Sequence, residues 1–218
     1  MLRKNKQYFK HRQWTSAEAK KEIDDGLKLL DSIDKPIVSV FGSHMVPSGS
    51  KYYTHAEKTG YALGKKGYAM VTGGGPGIMY AANAGTYKAG MPSIGIRASM
   101  IKGERVDGSI YTHTRSYSFL FVRRFILAVK SEALIFYPGG FGTLNELFEY
   151  VVLIQTGMDD KVPLILVNKS YWKGLFAWAK KEMVKQKLLT HGAKDLDMFY
   201  FVDDVEEIVK IIEKNTKG

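Results

Sequence analysis

FYPGGFGTLNELFEY, residues 136 to 150, joins an apolar run to a segment of helical pattern through one proline and three glycines. The run that ends there, Ala133 to Tyr137, is short and apolar and reads as a strand. Strand, glycine loop and helix in that order form the unit from which parallel α/β sheets are built. Glycine permits positive φ and a close approach of backbone to a ligand. A helix opening directly after such a loop aims free N–H groups and the positive end of its dipole at an anion. Glu146 lies three residues past Thr143, at the expected start of that helix. A carboxylate there reads in two ways: as a cap favoured by the dipole, or as an anion beside a sugar that becomes cationic during bond cleavage.

The same unit recurs along the chain. Strand-like runs are expected at Ile37 to Phe41, Tyr68 to Val71, Ser93 to Ile96, Val162 to Val167 and Phe199 to Val202, besides Ala133 to Tyr137. Helical patterns fall near 52–66, 77–89, 115–130, 143–156, 171–187 and 203–213. Thr15 with Glu18 resembles a capping box that opens a further helix, to about Ile33. Alternation of this kind predicts an α/β fold, a modified Rossmann-like parallel sheet with helices on both faces. The organisation expected is a basic N-terminal tail, 1–14, followed by one nucleotide-binding domain, 15–218.

Composition narrows the function. The chain has no cysteine, which excludes disulfides, thiolate metal sites and cysteine nucleophiles. No apolar run approaches the roughly 20 residues of a membrane helix, and the basic start MLRKNKQYFKHRQW lacks the apolar stretch of a signal peptide. A cytoplasmic protein is the simplest reading. The net charge of +10 invites a nucleic-acid partner. Its distribution argues against one, because about half the excess sits in the first fourteen residues and the rest is scattered along helices such as the one carrying Lys180, Lys181, Lys185 and Lys187.

In open α/β sheets ligands sit at the carboxyl ends of strands, near a switch in strand order. Three glycine-bearing loops follow strands: FGSHMVPSG (41–49), VTGGGPGIM (71–79) and YPGGFGTLNE (137–146). Each alone is explained as a tight turn; three in one domain point to a nucleotide or phosphate site. Gly73, Gly75 and Gly77 do not form G-x-G-x-x-G, and the next strand runs into Arg97 rather than an acid for a ribose diol, which argues against a dinucleotide. No P-loop motif and no G-x-S-x-G elbow occur. The five histidines, 11, 44, 55, 113 and 191, show no metal spacing.

The segment SYSFLFVRRFILAV, 116–129, is apolar nearly all round and is expected to be buried, with Arg123 and Arg124 its only charges. A buried guanidinium needs an acceptor such as a carboxylate or a phosphate. Either arginine could instead snorkel to the surface. Adjacent helical positions point about 100° apart, so both are not expected to escape together.

PGGFGTLNE together with the upstream Arg-basic pair resembles the P-G-G-x-G-T-x-x-E signature of the LOG (Lonely Guy) family of cytokinin riboside 5′-monophosphate phosphoribohydrolases. VTGGGPGIMYAANAGTYKAG, FLFVRRFILAVKSEALIFYPGGFGTLNELFEYVVLIQTG and VPLILVNKSYW look like its longer bacterial branch, and the resemblance runs from about Ile37 to Ile212. It implies a modified Rossmann fold, a homodimer with the site near the subunit interface, and hydrolysis of nucleoside 5′-monophosphates to free base and ribose 5-phosphate without a cofactor or metal. Carried over, Arg123 and Glu146 are the catalytic pair. Arg124 takes the adjacent basic position, and Gly139, Gly140, Phe141, Gly142 and Thr143 form the phosphate loop. Gly42, Ser43, Gly73, Gly74, Gly75, Gly77, Asn83 and Arg97 are expected to line the substrate site. The chain departs from the family pattern at Tyr80, His44, Met45 and Asn145, which bears on base preference and rate; a nucleotide-binding or sensor protein of the same fold is the alternative. The family's older label, lysine decarboxylase-like, finds no lysine here in a setting suited to pyridoxal phosphate.

Overall fold

A computed structural model describes residues 2–99 and 108–216. Seven parallel strands form one sheet: β1 (Ile37–Phe41), β2 (Ala69–Thr72), β3 (Ser93–Ala98), β4 (His113–Tyr117), β5 (Ser131–Phe136), β6 (Leu164–Val167) and β7 (Phe199–Val202). Their order is β4-β3-β2-β1-β5-β6-β7. The chain winds outward from β1 to β4, then returns to the other side of β1 and winds outward again. The switch in direction therefore lies between β1 and β5, where register runs from Val38 opposite Ala133 to Phe41 opposite Phe136.

Side chains alternate across the pleat and divide the core into two layers. Ile37, Val71, Ile94, Ile96, Leu134, Phe136 and Leu166 face α2 (Arg12–Asp31), α5 (Leu120–Ala128), α6 (Phe141–Gln155) and α7 (Lys169–Trp178). Val38, Val40, Met70, Ala133, Ile135, Ile165 and Val167 face α3 (Lys51–Lys65), α4 (Ile78–Lys88) and α8 (Val205–Asn215). The expected Rossmann-like α/β fold with helices on both faces is what forms.

The structure differs from the sequence pattern in two regions, each for a local reason. At the N-terminus α1 (Leu2–Lys10) precedes α2, and Tyr8 and Trp14 pack on Phe119 with ring centroids 5.3 and 6.3 Å away. Thr15 is not a cap, because α2 has already begun at Arg12; its hydroxyl donates to the Tyr8 carbonyl (2.9 Å), tying the two helices together. The strand β4 is a seventh strand that no apolar run announced. HTRSY is polar because β4 is a sheet edge with only Tyr117 buried. Arg115 to Tyr117 therefore extend a strand, and α5 is shorter than the pattern at 115–130 suggested.

Remote polar contacts set the ends of the helices near the switch. The buried Glu22 on α2 accepts from the N–H groups of Ser118 (2.6 Å) and Phe119 (3.2 Å), holding the start of α5. Lys130, just past α5, donates to the carbonyls of Leu30 (2.8 Å) and Ile33 (2.9 Å) at the end of α2.

On the opposite face α3 and α4 touch backbone to backbone. A Cβ at Gly85 would lie 1.9 Å from the Glu57 carbonyl oxygen, and one at Gly60 would lie 2.0 Å from that of Ala82. Gly85→Ala is therefore expected to push the helices apart and cost about 1–3 kcal/mol, the usual range for over-packing. Urea unfolding reads it as a lowered midpoint; an unchanged midpoint would show that the helices separate freely.

Candidate active site

All three glycine loops emerge at the carboxyl edge of the sheet, because every strand is parallel. The loops after β1 and β5 flank the switch and are joined by the Ser43 N–H donating to the Pro138 carbonyl (3.2 Å). The loop after β2 docks beneath the first: the Ser43 carbonyl accepts from Ile78 N–H (3.2 Å) at the start of α4, and Gly77, at φ +66°, lets the two backbones meet. One of the N–H groups expected to face a ligand at α4 is thus used within the fold. Gly42 packs against Ile78 and Tyr137, while His44 and Met45 are exposed on the rim.

Gly73, Gly74, Gly75 and Gly77 are all buried. Gly77 packs on the Ser43 and His44 backbone and Gly74 on Arg97, while Gly73 is covered by Arg123. Its side chain is 7% exposed, its Nε donates to the Ile96 carbonyl (2.8 Å), and its Nη2 donates to that of Gly73 (3.3 Å). A Cβ on Gly73 would fall 2.2 Å from that Nη2, so glycine is needed for the arginine to reach its seat. The expected acceptor was a carboxylate or a phosphate; the carbonyls of Ile96 in β3 and Gly73 just past β2 take that part. Asn83, placed by sequence among the ligand-binding residues, is fully buried. In the orientation that satisfies its whole amide it donates to Thr72 Oγ1 (2.5 Å) and the Met79 carbonyl (3.0 Å), and accepts from Ser93 Oγ (2.7 Å) and Ile94 N–H (3.2 Å). Its amide holds the β2 loop, where Thr72 Oγ1 also accepts from Gly74 N–H (3.0 Å).

The loop after β5 differs. Gly140 and Gly142 are exposed, and no side chain caps α6, whose N-cap is Gly140. An uncapped helix start on open glycine backbone suits an anion. Thr143 is buried against Gly139, and the Tyr171 hydroxyl donates to the Gly139 carbonyl (2.5 Å), bracing the loop from α7. Phe141 stands 92% exposed at the helix start.

Because α6 begins at Phe141, Glu146 is its sixth residue and sits in the second turn, half-buried. It is not a cap. Tyr150, one turn further on, gathers the charges: its hydroxyl donates to the Arg124 carbonyl (2.6 Å), clamping α6 to α5. Burial pushes that hydroxyl well above its usual pKa, Glu146 and Glu149 push the same way, and Arg124 and Arg123 oppose them. Tyr150 thus lies within electrostatic reach of both members of the expected catalytic pair. Sequence reading missed it, although its i+4 spacing from Glu146 put both on one helical face. Arg124 forms an ion pair with Glu149. Arg97 lies at the end of β3 over the ring of Tyr111, with its guanidinium carbon 5.0 Å from the centroid. Among the described residues no group of three or more His, Cys, Asp or Glu could hold a metal. No helix among them is long and apolar enough to cross a membrane. A separate cleft of about 980 Å³ carries Lys51, Lys169, Lys173 and Lys180 beyond β6 and contains none of these residues.

Tyr137, immediately before Pro138 and Gly139, is fully buried, with its hydroxyl 2.9 Å from His55 Nδ1 and 2.8 Å from Thr59 Oγ1. His55 Nε2 lies 3.0 Å from the Asp203 carbonyl, which can only accept; Nδ1 therefore accepts from Tyr137. Burial lowers the His55 pKa from 6.5, against the opposing backbone bond to Asp203 and the charges of Asp204, Asp203 and Glu206. The unfolded chain takes up that proton more readily, so this contribution to stability is complete above about pH 6.5 and declines as pH falls towards the folded value. Thermal unfolding of wild type should weaken between pH 7 and 5 more steeply than that of His55→Gln. Equal slopes would remove His55 from the linkage.

The model of the family described as possible lysine decarboxylase matches residues 79–212. A rice protein (Oryza sativa subsp. japonica) named probable cytokinin riboside 5′-monophosphate phosphoribohydrolase LOGL6 is 27% identical over 175 residues, 80% of this chain and 69% of its own. The Arabidopsis thaliana enzyme LOG3, of the same activity by name, is 26% identical over 178 residues and 81% of each chain. Among solved structures, the molybdenum cofactor carrier protein of Chlamydomonas reinhardtii superposes with a TM-score of 0.61 at 19% identity, over 84% of this chain and 99% of that one, a likeness of fold. With the glycine loop and the sheet order in place and that model matching residues 79–212, the chain belongs to the LOG family, whose family model carries the description possible lysine decarboxylase.

Proposed function

We propose that the protein hydrolyses the N-glycosidic bond of nucleoside 5′-monophosphates, AMP or N6-modified adenine nucleotides, releasing the free base and ribose 5-phosphate. The observation that carries this reading is the uncapped start of α6, open on Gly140 and Gly142, one turn before a half-buried glutamate. A 5′-phosphate on those N–H groups places the ribose along the first turn of the helix, towards Glu146. The bond from C1′ to the base breaks with its electron pair leaving on the base, and the ribose gains oxocarbenium character. Glu146 stabilises that charge and takes a proton from the water that adds to C1′, while the departing base is protonated from solvent. Arg123 acts as a positioning residue: its donors are held by Ile96 and Gly73, so it fixes α5 and the β2 loop and adds positive potential near the phosphate.

One exposed apolar surface belongs to the same proposal. Phe121, Phe125 and Val129 on or just past α5, with Phe141, Phe148 and Val152 on α6, are all exposed, and Phe121 is 54% so. Such a patch beside the phosphate loop suits a twofold homodimer that closes the site. Light scattering is expected to give twice the 24.5 kDa chain mass; a monomer at micromolar concentration would count against it.

A second reading, nucleotide or cofactor binding without turnover, draws on the fold shared with molybdenum cofactor carriers and on Arg124 being occupied by Glu149. A panel of nucleoside monophosphates assayed for free base separates the two: tight binding without base release selects the second. On the hydrolase reading, Glu146→Gln should reduce turnover roughly a hundredfold or more, as typical for an electrostatic or acid–base group. Nucleotide affinity should change little, because the phosphate contacts remain. Near-normal turnover of that variant would remove Glu146 from the mechanism.

A further inference from the structure

Arg97, expected from the sequence to line the substrate site without a stated role, is built into the carboxyl edge together with Tyr111. The arginine side chain lies between the Tyr111 ring and the backbone of the β2 loop. Two glycines make the room: a Cβ on Gly95 would lie 3.1 Å from the Tyr111 ring, and one on Gly74, at φ +69°, would lie 2.8 Å from Arg97 Cγ. The Nε and Nη2 atoms of Arg97 and the hydroxyl of Tyr111 are shut away from solvent and have no hydrogen-bond acceptor among the described residues. Nε–H and Nη2–H form one edge of the guanidinium, the fork that matches two oxygens of a carboxylate or phosphate. A desolvated fork and hydroxyl, without an acceptor, are a standing cost to the fold. Burial also keeps the Tyr111 hydroxyl protonated, since its pKa is raised far above the ordinary value, with Arg97 opposing only in part.

We infer that Arg97 and Tyr111 form an oxyanion subsite: the Nε–Nη2 edge of Arg97 takes two oxygens of one carboxylate or phosphate group, and the Tyr111 hydroxyl donates to the same group. The ligand's being a nucleotide rests on the proposed phosphoribohydrolase reading, on which the substrate class becomes a nucleoside 5′-monophosphate bearing a second oxyanion. The 5′-phosphate is held at α6, and Arg97 reads the additional group. Arg97 on β3 abuts Gly74 of the β2 loop, so the subsite belongs to the same carboxyl edge of the sheet without sharing the loop after β5.

The test uses the full chain labelled with ¹⁵N. The Arg97 Nε–H resonance, identified by its loss in Arg97→Gln, is followed during titration with inorganic phosphate, acetate, AMP, adenosine 3′,5′-bisphosphate and AMP carrying a succinyl group on N6. The resonance should shift with inorganic phosphate and acetate, whether or not any base is released, so failure of the hydrolase reading is seen separately. Calorimetry should show one of the two doubly anionic nucleotides binding wild type at least about tenfold tighter than AMP, a step of one decade in Kd. Which of the two does so locates the second group on the sugar or on the base. That gain should vanish in Arg97→Gln and shrink in Tyr111→Phe. A resonance unmoved by every probe overturns the subsite; if Arg97→Gln does not fold, the resonance is identified by its loss in Arg97→Lys instead. Equal affinities for AMP and both doubly anionic nucleotides, or an equal shift with AMP alone, overturn the assignment to a second group.

Discussion

A single buried guanidinium orders the carboxyl edge of this sheet. Arg123 reaches across from α5 and donates to the carbonyls of Ile96, within β3, and Gly73, just past the end of β2. Both carbonyls lie beyond the last β2–β3 pair, Thr72 opposite Gly95, and a cation that supplies two donors satisfies them while satisfying itself. The seat has requirements on both sides. Gly73 must lack a side chain, and α5 must start at a fixed height, which Glu22 secures from α2 through the N–H groups of Ser118 and Phe119. A change at any of these three positions moves the others, because the guanidinium is too buried to find water instead.

This arrangement divides the work among loops that look alike in sequence. The β2 loop has the most glycines, yet they are buried, with Gly73 taken up by Arg123 and Gly74 by Thr72. Its glycines serve close packing. The β5 loop has an open backbone and an uncapped helix behind it, so Gly140 and Gly142 face outward. Glycine content alone could not separate the two roles, since both close contact with protein and close contact with ligand need the same missing Cβ.

The parallel sheet was legible because interior strands are buried on both faces and read as unbroken apolar runs, as in LILV of β6. The edge strand HTRSY carries no such run, since half of it meets solvent, and only its pairing with β3 from Ile94–His113 to Ala98–Tyr117 reveals it. Thr15 and Glu18 had the spacing of a capping box, but a helix start is set by where the chain turns, and that turn is at His11. Glu146 was placed in the first turn by counting from Thr143; the helix actually starts at Phe141, as backbone hydrogen bonding from Leu144 to Gly140 shows. Arg123 was recognisable as a buried cation. Its acceptors were not, because carbonyls from residues 50 and 27 positions away leave no mark on sequence.

That two-residue shift changes how the glutamate can act. In the first turn a carboxylate would sit against the free N–H groups and compete with a bound phosphate for the same positive potential. In the second turn it is displaced along the helix by several ångströms, at 1.5 Å per residue. A phosphate bound at the helix end would then leave Glu146 one turn further along, beside what the phosphate carries. Tyr150 strengthens the separation: its buried ring and its bond to the Arg124 carbonyl hold α6 against α5, so the spacing between the helix start and Glu146 is fixed by packing rather than by the ligand. A site in which anion and carboxylate share one helix but not one turn is preorganised for a substrate with a negative end and a centre that becomes positive.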